Sequence, residues 1–304
     1  MRIHHLNCIS TCPLGGRLMD GISDSILTRG RLACHCLLVE TEAGLVLVDT
    51  GLGLRDVEAP ESRLSGFFLR LLAPDFRAEM TARRQVEALG FRAEDVRHIV
   101  LTHLDFDHAG GLDDFPQATV HLQGAERDYA FKQKTWLDRQ RFRPQQWSTR
   151  ELWRSYYASP GESWMGFTGV QALEGVGDDI LLVPLPGHTF GHCGVAVRQG
   201  RRWLLQAGDA YFHRDEMDLG QPRCTPGLRL YQRLMEKDRK LRLANQANLR
   251  ELLRLHPGEV EVFCSHDIVE FERCAHRDAQ VPDGLHLHQV PGGLLPVEAH
   301  ARNA

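Results

Sequence analysis

Four side chains able to bind a metal ion fall within the six residues His103-Leu104-Asp105-Phe106-Asp107-His108. Imidazole and carboxylate ligands suit zinc, iron or manganese. The segment follows directly on the apolar run 96–102 (VRHIVLT), which reads as a buried strand. His103 and Asp105 alternate, so in an extended strand end they face one way. Asp107 and His108 can then turn towards a second position as a helix begins. Ligands packed this densely suit a pair of ions sharing a bridge. A polar helix cap with Asp107 as its first residue would account for one of these side chains, not four.

Three further segments have the same form, an apolar strand ending in a ligand type. Residues 181–185 lead to His188 and His192 in PGHTFGH, 203–207 lead to Asp209, and 260–264 lead to His266. A single His or Asp at a strand end reads as a turn residue. Several such ends together point to convergence on one edge of a sheet.

The elements that must position these residues can be read from pattern. Strands are expected at 3–8, 32–41 and 45–49, the last two joined by a turn at 42–44. A helix is expected at 79–89, with Met80, Val86 and Leu89 inward and Gly90 ending it. Further strands are expected at 118–122, 180–184, 193–198, 203–207 and 260–264. Residues 228–255 read as one long helix, stopped by Pro257-Gly258. The order predicts two similar halves packed sheet on sheet with helices outside. Residues 129–167 differ: they hold ten aromatic residues and four of the chain's five tryptophans, with no clean period. They read as a pocket wall beside the metals, with Trp147, Trp153 and Trp164 as its contributors. The rival uses are self-packing of the aromatics and a homodimer contact.

Composition bounds the rest. The 304 residues are 42% hydrophobic and 25% charged with a net charge of -4, ordinary for a globular chain and without the field that nucleic acid or an anionic membrane requires. No run of about 18 apolar residues would span a bilayer. MRIHHLNCIS lacks the apolar core of a secretory signal, so a cytoplasmic location is expected. The eight cysteines read as reduced thiols rather than a disulfide framework, and Cys8, Cys12, Cys34 and Cys36 lack the paired spacing of a structural zinc site.

The chain resembles the metallo-β-lactamase superfamily. Five blocks carry the resemblance in order: LVLVDTG at 45–51, HLDFDH at 103–108, PGHTFGH at 186–192, AGDAY at 207–211 and CSHD at 264–267. The resemblance implies an α/β fold, the αβ/βα sandwich of two β-sheets flanked by helices, as a single domain over 1–304 with an insertion at about 129–167. It implies two divalent metal ions, zinc first, with iron or manganese as alternatives. His103, Asp105 and His188 would hold one ion. Asp107, His108 and His266 would hold the other, and Asp209 would bridge. Asp49 would orient ligands from behind, and His192 would serve structural hydrogen bonds. One departure matters: the family motif is HxHxDH, and Asp105 stands at its second histidine. The extra carboxylate shifts preference towards harder metals.

The short HLDFDHAGGL block, the length and the aromatic insertion are most similar to the lactonase-type hydrolases that open acyl-homoserine lactones. That implies a hydrolase of carboxylic esters or lactones with a small-molecule substrate, and no nucleic-acid or membrane partner. The metals would make hydroxide available, and Asp107 would both ligate and orient it. Tyr211 is a candidate donor to the oxyanion, with a packed tyrosine as the equal alternative. Thioester hydrolysis of the glyoxalase-II type, and a signalling or binding protein on a hydrolase scaffold, are the alternative functions.

Overall fold

Leucine and β-branched residues alternate in sidedness along the strands, so each strand offers one face to a partner sheet and the other to helices. The computed structural model describes residues 1–147, 152–157 and 163–279. Six strands form the first sheet in sequence order: β1 (Arg2–Asn7), β2 (His35–Thr41), β3 (Gly44–Val48), β4 (Val96–Val100), β5 (Thr119–Gln123) and β6 (Trp153–Tyr156). β1 to β3 pair antiparallel, and β3 to β6 run parallel. A hairpin follows, β7 (Ser163–Trp164) with β8 (Phe167–Thr168). The second sheet contains β9 (Gln171–Leu173), β10 (Gly177–Pro184), β11 (Cys193–Gln199), β12 (Arg202–Gln206) and β13 (Val260–Phe263), in the order β13-β12-β11-β10-β9. Only the β12–β13 pairing in it is parallel.

The two sheets pack face to face. Leu37, Val39, Val46, Val48 and Val100 of the first meet Ile180, Leu182, Val195, Val197 and Phe263 of the second. The alternate residues Leu38, Leu47 and Ile99 face outward, onto Ala82 and Val86 of the helix Ala82–Ala88. On the far side Leu205 and Val262 pack on Leu249 and Leu252 of the helix Arg239–Leu255. The arrangement is the expected αβ/βα sandwich.

The expected single helix over 228–255 is two helices, Pro226–Met235 and Arg239–Leu255. The break has a tertiary cause. The backbone N–H groups of Lys237 and Asp238 donate to the carbonyl of Gly187, both at 2.9 Å, instead of continuing the helix. Asp238 then caps the second helix by accepting from the Leu241 N–H. The break therefore docks both helices onto the loop that carries His188. Among the described residues no helix is long and apolar enough to cross a membrane.

Candidate metal centre

β4 delivers the first ligand group. Past Val100 the chain bends at Thr102 and reaches Asp105, which takes the N-cap position of the short helix Phe106–Ala109. His103 and Asp105 precede the turn, and Asp107 and His108 lie in it. β10, β12 and β13 end just before His188, Asp209 and His266. All seven side chains are buried.

They converge in two overlapping groups. His103, Asp105, His188 and Asp209 form one, and His108, Asp209 and His266 the other, each with its ligand atoms within 4.8 Å of one another. Asp209 is common to both: its Oδ2 lies 3.3 Å from His188 Nε2 and 3.8 Å from His103 Nε2, and its Oδ1 3.3 Å from His108 Nε2 and 3.1 Å from His266 Nε2. Asp107 Oδ1 and Oδ2 lie 4.0 and 3.9 Å from His108 and His266. A third group adds Cys34 to Asp107 and His266, a thiol that sequence reasoning assigned only to reduced, buried packing.

A cation fits the second group. His108 Nε2 and Asp209 Oδ1 are buried without a hydrogen-bond partner, and so is His103 Nε2 in the first. Buried lone pairs left unpaired around one point are costly unless a cation satisfies them. The charges agree. Burial would raise the Asp209 carboxyl, but His266, His108, His188 and His103 outweigh it and hold it well below the carboxylate range. Burial would lower His108, but the carboxylates of Asp209 and Asp49 outweigh it and hold His108 well above the usual histidine value when no other cation is present, so a bound ion would take the place of its proton.

Surrounding bonds fix each ligand's orientation. Asp49, held at φ 54°, accepts from the Thr102 N–H and hydroxyl at 2.8 Å and lies 2.8 Å from His108 Nδ1. His266 Nδ1 donates to the Ala33 carbonyl at 2.7 Å, which turns Nε2 inward. His192 donates to the Leu185 carbonyl and accepts the Asp209 N–H, both at 2.9 Å, so it braces the site rather than joining it. Glu126 ties the two ligand loops together, accepting from the Leu104 N–H, the Thr189 hydroxyl and the Gly191 N–H. Gly187, at φ 144°, lets the loop approach the second helix: a Cβ there would sit 2.4 Å from the Arg242 nitrogen.

Three residues around the centre carried no signal of function in the sequence: Glu126, Arg141 and Tyr231. Arg141 ends the helix Trp136–Arg141 and is fully buried. It grips both oxygens of Asp105, at 2.6 and 2.5 Å, and its Nη2 lies 2.7 Å from His188 Nε2. Tyr231, on the helix Pro226–Met235, lies within the field of the carboxylates. Burial first, then Asp107, Asp105 and Asp209, push its phenol well above the usual value. Tyr211 is not brought to the cluster. Its hydroxyl donates to Glu270 at 3.1 Å and its ring is packed in the second sheet's outer core. That position explains why its neighbour Asp209 points to the metal edge while Tyr211 points back.

The expected wall is also placed differently. Trp147 is buried beneath the first sheet, and Trp164 packs on Trp203 at 5.4 Å in the second core. Trp153 lies on β6, packed against the first core. Trp136 of the same aromatic segment instead lines an open apolar cleft of about 770 Å³, with Phe67, Leu71, Leu230 and Leu234. Tyr231 lines this cleft too. Residues 148–151 and 158–162 of that segment lie outside the described residues.

Known proteins share this fold. The chain is 42% identical over 267 residues to a probable metallo-hydrolase of Mycobacterium tuberculosis, covering 88% of this chain and 80% of that one. It is 28% identical over 195 residues to an N-acyl homoserine lactonase of Agrobacterium fabrum, covering 62% of this chain and 68% of that protein. Its fold matches a solved N-acyl homoserine lactone hydrolase carrying the product N-hexanoyl-L-homoserine at its metal centre. That match has TM-score 0.66 and 20% identity and covers 90% of this chain and 96% of that one. The family model for the metallo-β-lactamase superfamily matches residues 29–261. That span runs from before β2 into β13 and includes every candidate ligand segment but the last, so the chain belongs to the metallo-β-lactamase superfamily.

Proposed function

We propose that this metallo-hydrolase cleaves a carboxylic ester or lactone bond in a small molecule with an apolar tail. One observation carries the reading: Tyr231 lines the apolar cleft and packs on Phe212 at 5.6 Å, and the Phe212 ring stacks on His266 of the candidate centre at 5.1 Å, so one side chain separates cleft from centre. A carbonyl held at Tyr231 would leave its tail the same cleft, lined by Trp136, Phe67 and Leu230. The lactonase relatives support the same bond type.

When bound, a divalent ion supplies Lewis acidity, lowering the pKa of water and polarising a carbonyl. Asp107, His108, Asp209 and His266 would hold it. The Cys34 thiol beside Asp107 and His266 favours zinc over a harder ion. The protein's own groups do the remaining work. Asp107 lies at the border of the ligand group, where it can take a proton from the attacking water and return it to the leaving alkoxide. The Tyr231 phenol, kept protonated by its surroundings, donates to the oxyanion. The cleft binds the non-reacting part and orients the ester.

The experiment is turnover of a panel of acyl lactones, aryl esters and thioesters by zinc-loaded protein. The reading expects lactones or esters to lead in kcat/KM. Preference for thioesters would move the protein to that class, and no turnover of any member would leave a binding role on a hydrolase scaffold.

A further inference from the structure

We infer that this chain holds one metal ion rather than two, and that the Arg141 guanidinium takes the position of the other. The inference concerns the metal centre and is independent of the substrate class, so stoichiometry and turnover can fail separately.

The first ligand group is already engaged. Asp105 Oδ1 accepts from Arg141 Nε at 2.6 Å and Oδ2 from Nη2 at 2.5 Å. The fork geometry of this pair uses both carboxylate oxygens. The same Nη2 stands 2.7 Å from His188 Nε2. An arginine cannot accept a hydrogen bond and stays protonated in proteins, so this contact takes the His188 tautomer with Nδ1 protonated and the Nε2 lone pair accepting, rather than the one in which Nε2 donates to Asp105 Oδ2 at 3.0 Å. That lone pair is the one facing Asp209 and Asp105. Two of the four ligands of this group are thereby committed to a fixed organic cation. Arg141 is anchored from behind as well, since Nη1 donates to the Met235 carbonyl at 2.6 Å. Its helix is capped by Thr135 and Asp138, and Asp138 pairs with Lys237 in the helix break.

This accounts for the departure at position 105. An imidazole cannot receive a guanidinium fork, and a carboxylate can. Asp105 in place of the family's histidine and Arg141 36 residues later are one feature, an internal ion pair. The second group has no such occupant among the described residues. His108 Nε2 and Asp209 Oδ1 face each other there at 3.3 Å without a hydrogen bond, and in the first group His103 Nε2 is left in that state, 3.3 Å from the Asp105 oxygen that Arg141 holds.

The test is metal stoichiometry, read by elemental analysis after zinc loading and removal of loose ions, on the full chain. Wild type is expected to hold about one ion per chain, against about two for a complete dinuclear centre. Arg141→Met and the double variant Asp105→His with Arg141→Met are expected to rise to about two. Cobalt loading gives an independent readout: an uncoupled spin signal in wild type and a coupled pair in the double variant. Two tightly held ions in wild type would overturn the inference and leave Arg141 as the counter-charge of Asp105 beside a full centre. A folded double variant still limited to one ion would overturn it too, because something other than Arg141 would then exclude the second. If either variant fails to fold by circular dichroism, the wild-type stoichiometry and cobalt spectrum decide alone.

Discussion

At the residue scale, the ligands differ from their supports in how they announce themselves. The clustering of His103, Asp105, Asp107, His108, His188, Asp209 and His266 was legible because these residue types recur at the ends of apolar strands, a pattern visible in one dimension. Arg141 and Tyr231 were not, because an arginine or tyrosine on a helix reads as surface, and what commits them is a neighbour brought in by the fold. Tyr211 shows the converse: closeness in sequence to Asp209 suggested a role that a strand-end turn reverses, spending its hydroxyl on Glu270. The phenol that matters for the proposed reaction is Tyr231. Tyr231→Phe removes one donor and no volume, so kcat on the best ester or lactone is expected to fall about a hundredfold with zinc content unchanged. Unchanged kcat would take the phenol out of the reaction. Asp49 lies 2.8 Å from His108 Nδ1 and would act on a bound metal through that ring. Asp49→Asn weakens that bond, and zinc affinity, measured by competition with a chelating dye, is expected to drop about 10- to 100-fold. Equal affinity would mean that His108 needs no orienting partner.

At the element scale, most strands appeared where apolar alternation put them, to within a few residues, because each buries one face on the opposite sheet. The helix over 228–255 was misread for a physical reason. Glu236 and Lys237 are ordinary helix formers and Asp238 alone offers a capping side chain; what stops the first helix is the Gly187 carbonyl, which captures two backbone donors. The turn after β3 gives a second case in which buried charge decides an element's behaviour. Asp114 accepts the Leu54 N–H at 3.0 Å, at the start of the short helix Leu54–Glu58, while almost fully buried. Burial raises its carboxyl from 3.8 to about 6. The folded state therefore binds this proton more tightly than the unfolded state. Its contribution to stability is fully present below the unfolded pKa and is lost as pH rises through about 6. Asp114→Asn keeps an acceptor for Leu54 and removes the charge. In urea unfolding, variant and wild type are expected to coincide near pH 4, with the variant more stable near pH 8 by up to about 3 kcal/mol. A gap that is the same at both pH values would show that ionisation of Asp114 is not its source.

At the scale of the whole molecule, the aromatic segment divides its side chains between two tasks, and composition alone could not say which tryptophan serves which. Trp147 fills the core under the first sheet, being 1% exposed. Trp136 is 55% exposed on the wall of the cleft, on the same helix that sends Arg141 into the metal centre. One short helix thus places Trp136 on the wall of the cleft and Arg141 against Asp105. If the cleft binds an acyl tail, each methylene placed there contributes about 0.8 kcal/mol, or roughly a fourfold gain in kcat/KM, until the wall is used up. Wild type is therefore expected to show a steep rise in kcat/KM with acyl length across a lactone series. Trp136→Ala is expected to flatten that rise while leaving thermal stability and the short-chain rate near wild type. Trp147→Ala is expected to do the reverse, costing about 3–5 kcal/mol of stability with the slope against chain length preserved. Gel filtration of both variants separates this from an interface role. A Trp136→Ala protein with an unaltered slope and a changed oligomeric size would assign the cleft to contact with a second chain, and the tail of the substrate would have to lie elsewhere.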